Sequence, residues 1–549
     1  MIDDEKKIES SNEEKDILEI IDKERVPEIS VLRNKEDAED VLDKVSSFNK
    51  EYAYTIFREI GYPMTVIYEK SYVDKLYRNT YYTYFSNKHF DIPRECKRLI
   101  IFRGEFEYKN FFEESKSEVH QKLEEALVGS IVIKPVPVKR GNCSMGRTLL
   151  NPLKMNIPPC YLRTTKFTIS VLGCEYSIEA FPFSGQDGEI MTCAETCVWE
   201  ILEYFGTRYA NYHTILPEDI LHKINEITQE RVLPSGGLTF LQISSAVKAF
   251  GFEPRIYARK SYEKKLPLTK LLKAVNVKTR VSTFRRCFHY YIESGIPLIV
   301  ALGEAHNEGH TVVCIGHGQA SYDLRKVRYE TFGSLKVMDT YQLYDDYVIM
   351  DDNYTPYRVE PFDSFLKQRW PVQYIGVPLY KHIYLEADNA NAIVTQFLNS
   401  YADDLVKIME SMGLMKYKSE PLVMRLFITA SRNFKQFRVS RAESISEKTI
   451  YSYMEYPKFI WVCEFSPITV FRKEKKVIGE LVLDATGAED SGLESIIGIR
   501  IGSHNGFRYH SERLQTLFER LEYSCGAVSI KYPLYRNNLK PGGNSNGNN

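Results

Sequence analysis

The chain has 549 residues, 43% apolar and 26% charged, the balance of a globular protein with room for about three domains. Lys plus Arg (72) and Asp plus Glu (73) leave a net charge of −1, which excludes the overall basic excess that drives binding to nucleic acid or anionic membrane. No run approaches the roughly 18 apolar residues of a membrane span, and the N-terminal MIDDEKKIESSNEEKD has no apolar signal core. The ten cysteines form no C-x-x-C pair. A soluble, cytoplasmic, multi-domain protein without nucleic-acid or membrane partners is expected.

In chain order, the acidic and apolar-poor residues 1–35 are expected to form a disordered tail. Residues 36–165 read as an α+β domain, with strand-like runs at Leu99–Phe102 and Val128–Ile133. Residues 167–172 and 175–181 flank Leu172-Gly173 as a hairpin. In CAETCVWEILEYFG (193–206), Ala194, Cys197, Val198, Ile201, Leu202 and Phe205 recur at helical spacing, which predicts a helix capped by Gly206. Ile296–Leu302, Thr311–Ile315 and Tyr347–Met350 read as strands. A long helix is predicted over 389–412 behind Asp388 as N-cap, and strands at 459–465, 477–483 and 496–501 predict an α/β-type domain over 381–538. The Gly/Asn-rich residues 539–549 are expected to be disordered.

Chemistry concentrates between residues 180 and 380. Cys193 opens a predicted helix, where free N–H groups and the helix dipole favour a thiolate. A nucleophilic cysteine needs an imidazole partner, and His310 stands just before an apolar strand in GHTVVCIG. A third group must orient that imidazole. Asp351, Asp352 and Asn353 all follow the strand Tyr347–Met350; Asp351 is favoured, but strand register decides among them. Upstream, Gln186 offers an amide for an oxyanion hole. His289 and His317 are rival imidazoles, and Cys197, one turn into the helix, reads as a small core residue. Cys193, Cys197, His306 and His310 together could ligate zinc, but two cysteines on a helix are not the usual tight knuckle. No metal or organic cofactor is expected. Basic and aromatic residues mingle over 254–290 and read as a solvated face.

The order of these parts resembles the papain-like cysteine peptidases, nearest to the bacterial peptidases that cleave double-glycine leader peptides. Gln186 and a short spacer precede the Cys193 helix, which ends in an aromatic pair and Gly206. PSGGLTFLQI (234–243), AFGF (249–252), GIPLIVAL (295–302), Gly309-His310, a strand ending in Asp, FDSF (362–365) and Trp370 follow. The likeness covers about 200 residues. It implies a papain-like domain over 166–380, with a nucleophile helix on an antiparallel sheet, flanked by two α/β-type domains in an α+β protein. It also implies Cys193 as nucleophile, His310 as acid and base, Asp351 as orienter and Gln186 as oxyanion donor. Two features depart from the family: Gln186 lies seven residues before Cys193 rather than six, and Ala194 replaces a glycine. The family's transporter segments are absent, so export-coupled leader processing is not expected. The expectation is therefore a thiol-dependent hydrolase, a cysteine peptidase acting on a specific protein or peptide. Deamidation and transamidation use the same triad. A non-catalytic interaction protein on such a scaffold, with a structural zinc, is the alternative of another class.

Overall fold

The computed structural model describes residues 26–45, 49–112, 117–136, 144–263, 277–303, 309–363, 371–417, 419–487, 489–507 and 529–543. His306, Trp370 and most of the proposed N-terminal tail lie outside them. The fold is α+β, built on three large sheets. Among the described residues no helix is long and apolar enough to cross a membrane.

The first sheet is wholly antiparallel and runs in sequence order: β1 (Glu28–Leu32), β2 (Met64–Tyr72), β3 (Cys96–Arg103), β4 (Leu127–Ile133) and β5 (Met145–Leu150). Strand β1 corrects the expected tail over 1–35, because EISVL finds a backbone partner in β2 and buries Leu32. Helix α1 (Lys50–Ile60) packs its Ala53, Ile56, Phe57 and Ile60 stripe into the same core. Short β6 (Cys160–Leu162) leads into the predicted hairpin, β7 (Thr165–Val171) and β8 (Cys174–Ala180). Leu172 and Gly173 both take positive φ (49° and 86°), the mirror-image turn that matches strand twist.

The central sheet follows helix α2 (Cys193–Arg208) and β9 (Phe252–Ala258), then α3 (Val277–Glu293). Its remaining strands are β10 (Leu298–Leu302), β11 (His310–His317), β12 (Asp346–Met350), β13 (Arg358–Pro361) and β14 (Val372–Tyr380). Their order is β13-β12-β11-β10-β14-β9, all antiparallel, with β6 joining the far end of β11. Both faces are covered. Ile299, Val313, Ile315, Val348 and Met350 face a core shared with α2, while Val300, Val312, Cys314, Tyr347 and Ile349 face one shared with α3. Alternate side chains point to opposite faces, so a sheet covered twice reads as unbroken apolar runs.

Helix α2 is buried all round rather than on a stripe; even Glu195, Glu200 and Glu203 are buried. Gly206 lies inside this helix rather than capping it. A Cβ there would sit 2.6 Å from the His213 carbonyl, so the position requires glycine for close backbone approach.

The third sheet includes α4 (Ala387–Ser411), β15 (Leu422–Ala430), α5 (Ser431–Arg441), α6 (Ile445–Tyr453), β16 (Phe459–Pro467), β17 (Gly479–Asp484) and β18 (Ile496–Ile501) among its strands and covering helices. Residues 335–339, from within the central region, pair in parallel with β15, and the other pairs along β15 to β18 are antiparallel. Neither flanking sheet is thus of the parallel α/β type. Helix α4 begins after Glu386, not Asp388, because Ala387 N–H donates to Tyr291 Oη and the Trp461 indole donates to the Leu385 carbonyl. Residues Lys540–Gly542, expected to be disordered, instead pair with β6, where Gly542 fits closely over Leu162.

Candidate active site

The loop from β8 to α2 is held by Asp187, whose carboxylate accepts from the N–H groups of Glu189, Ile190 and Met191 at 2.9, 2.8 and 3.0 Å. Thr192 then caps α2, and its N–H donates to Glu195 Oε2 at 3.2 Å. Glu195 also accepts from Ser235, which ties the 234–237 loop to the helix start. Cys193 is therefore the first residue of the helix, with its backbone N–H among the donors that a helix cannot satisfy internally. It is half-buried, whereas Cys197 is buried and its thiol is pushed well up by burial.

Antiparallel pairing of β11 with β12 (Val313 opposite Met350) brings His310, the first residue of β11, beside the residues that follow β12. His310 Nε2 lies 2.9 Å from Asp351 Oδ1 and 3.7 Å from Asp352 Oδ1. Asp351 is fully buried and also accepts the Asn353 N–H at 3.0 Å, closing a tight turn. The Cys193 side chain also acts on the His310 ring, in the direction that favours its charged form. Burial alone would lower the His310 pKa, but Asp351 and Cys193 outweigh it and hold the imidazole well above its ordinary range. Cys193, His310 and Asp351 are thus brought together.

Gln186 enters the same network differently from expectation. Its amide bonds Asn353 Oδ1 at 2.8 Å, and the other amide atom of Asn353 lies 3.3 Å from His310 Nε2. Asp351 accepts at Nε2, so this nitrogen carries a hydrogen, and Asn353 adjoins it without taking the place of the carboxylate. The Gln186 NH2 is thus engaged by Asn353 Oδ1 in this structure rather than free for an oxyanion. Tyr52, on α1 and 301 residues away in sequence, donates to the Asn353 carbonyl, a partner that no local pattern signals.

The sequence reading also missed the buried carboxyls behind the site. Glu200 accepts the Ser184 N–H at 3.2 Å, and burial pushes its carboxyl well above the ordinary range. Burial likewise raises Asp352 to about 7, against the pull of the His310 charge. His310, Asp351 and Asp352 place one ligand atom each within 4.8 Å of the others, a donor set that could hold a divalent cation. Such a cation would have to break the His310–Asp351 bond and ionise Asp352, and hydrogen bonding to the ring explains the cluster without it. The zinc alternative fares differently: Cys197 is sealed in the core and His306 lies outside the described residues. The rival histidines sit at the far end of β11. His317 Nε2 is 3.1 Å from Glu293 Oε2, and burial lowers His289 to about 3, which keeps it neutral.

Asp352 makes stability depend on pH. An unfolded aspartate titrates near 3.9, so between that value and about 7 the folded chain keeps a proton the unfolded chain gives up. The protonated carboxyl contributes fully below about pH 4, and the contribution is lost as pH rises to 7. Asp352→Asn should therefore exceed the parent in stability by a few kcal/mol at pH 7 (about 1.4 kcal/mol per unit) and converge with it near pH 4. Urea titrations at both pH values check this; parallel curves would refute it.

No protein-family model and no curated protein matches the sequence. The family resemblance therefore rests on the quoted residues and their order.

Proposed function

We propose that the protein is a thiol-dependent acyl hydrolase, a cysteine peptidase of papain-like type that cleaves a peptide or isopeptide bond in a specific protein or peptide. The observation that carries this reading is one grouping: a half-buried cysteine at a helix start, an imidazole whose charged form it favours, and a fully buried aspartate 2.9 Å from that imidazole. Asp351 holds Nε2, so the reading assigns Nδ1 to the sulfur as the nitrogen that carries the proton in the thiolate–imidazolium pair.

In the proposed reaction Cys193 Sγ bonds to the substrate carbonyl carbon, and the carbonyl π electrons move onto oxygen. The Cys193 N–H takes up that charge, and Gln186 joins it only by exchanging its Asn353 partner for the oxyanion. The C–N bond then breaks as His310 passes its proton to the leaving amine. A water molecule, deprotonated by His310, adds to the thioester, and the Cys193–carbon bond breaks to release the acid. Asp351 keeps the ring oriented and balances its charge throughout.

Alkylation by iodoacetamide, read cysteine by cysteine by mass spectrometry, tests the pair without a substrate. Cys193 should react fastest, with a rate nearly flat from pH 8 to pH 6, and His310→Ala should slow it at least about tenfold at pH 6. Cys174, also half-buried, is the comparator for an ordinary thiol. If Cys193 follows Cys174 across the pH range in both proteins, the reading fails.

A further inference from the structure

Strand β11 carries His310 at one end and His317 at the other, seven residues or about 23 Å away. His317 borders an open cavity of about 300 Å3 between the central and third sheets, lined on one side by Leu534, Tyr535, Arg536, Leu539 and Pro541. Tyr161, Tyr322, Tyr344, Phe471 and Tyr535 give it aromatic walls. Its charged floor is already matched internally: Arg425 Nε donates to Glu293 Oε1 at 2.8 Å, and Arg425 Nη1 to Glu464 Oε2 at 2.7 Å.

The rim is different. Lys475 and Arg536 line the cavity, and the Arg472 guanidinium lies 4.9 Å over the Tyr322 ring. No carboxylate of a described residue forms an ion pair with any of the three. Burial, then the Arg536 and Arg472 charges, lower the Lys475 pKa, the sign of cations crowded without a counter-ion. Lys475 also holds a left-handed backbone (φ 55°), uncommon for a lysine. The larger cleft of about 460 Å3 beside β3 lacks this surplus, because its Arg98 and Arg147 are each paired, with Glu69 and Glu203.

We infer that the cavity binds a nucleoside phosphate, with the base against the aromatic walls and the phosphate on Lys475, Arg536 and Arg472. Flat rings stack on tyrosine and phenylalanine whatever their sequence of substituents, and a phosphate supplies the counter-charge the rim lacks. The volume lies at the lower end of ordinary ligand sites, enough for a base and ribose with the phosphate at the mouth.

Isothermal titration of the full chain with ADP, adenosine and inorganic phosphate tests this, and does not depend on turnover. ADP should bind saturably, and each of the two fragments at least about tenfold more weakly. The exposed double change Lys475→Glu with Arg536→Glu should weaken ADP at least about tenfold, and so should Tyr322→Ala. An unchanged circular dichroism spectrum shows that both variants fold. The inference is overturned if ADP does not saturate at millimolar concentration, if the variants bind it unchanged, or if phosphate alone binds as tightly.

Discussion

Asp351→Asn is expected to slow alkylation of Cys193 at pH 6 by about 10²-fold. The amide keeps the size of the carboxylate and can still accept the Asn353 N–H that closes the turn, but it removes the carboxylate charge that lies 2.9 Å from His310 Nε2 in a fully buried position. Without that charge a buried imidazolium is poorly compensated, and the proton returns to sulfur. An ordinary thiol with pKa near 8.5 is about 0.3% thiolate at pH 6, which sets the size of the loss. Asp352→Asn should change the same rate less than about threefold, because Asp352 lies 3.7 Å from the ring and, with a pKa of about 7, is mostly neutral at pH 6. The reverse ranking would transfer the orienting role to Asp352, and two silent variants would remove the proposed triad.

Glu464→Ala should cost about 3–5 kcal/mol in the unfolding transition reported by Trp461 fluorescence. Glu464, on β16, accepts from Arg425 and Arg438 at 2.7 Å each and from the Tyr535 N–H at 2.9 Å, all in the core. It sits within a buried chain of alternating charge. Glu293 meets Arg425, which meets Glu464; Arg438 joins Glu464 to Glu480; and Tyr451 bridges Glu480 to Arg500, which pairs with Glu447. Deleting the carboxylate leaves two buried guanidinium groups short of a partner, whereas Lys531→Ala, which breaks a partly exposed pair with Glu474, should cost less than about 1 kcal/mol. Trp461 lies three residues from Glu464 on the same strand, on its other face, and is fully buried, so it reports unfolding of this sheet. A loss below about 1 kcal/mol for Glu464→Ala would show that the chain of charges contributes little to stability.

Nothing in the local pattern marks that chain of charges. Glu464 and Glu480 stand in apolar strand runs, and Arg425 and Arg438 are spaced 13 residues apart across a strand and a helix. Their pairing depends on strand neighbours Glu464 and Glu480 lying opposite one another in the register of β16 and β17. The same limit applies to the strands that change sheets. Residues 335–339 leave the central region to pair with β15, and Lys540–Gly542 return to β6, although composition marks the latter as a tail.

What the sequence by itself determined was local. The two-sided burial of the central sheet left largely apolar runs at 296–302, 311–315 and 347–350, and the 3.6-residue period placed Cys193 at a helix start. The tertiary structure alone decided which of Asp351, Asp352 and Asn353 meets His310, how Gln186 and Tyr52 reach the site through Asn353, and why α2 tolerates three buried glutamates. The physical reason is range. Backbone propensity and side-chain periodicity act between neighbours in the chain, while hydrogen-bond partners, burial and the resulting protonation states are set by strand register and by segments hundreds of residues apart.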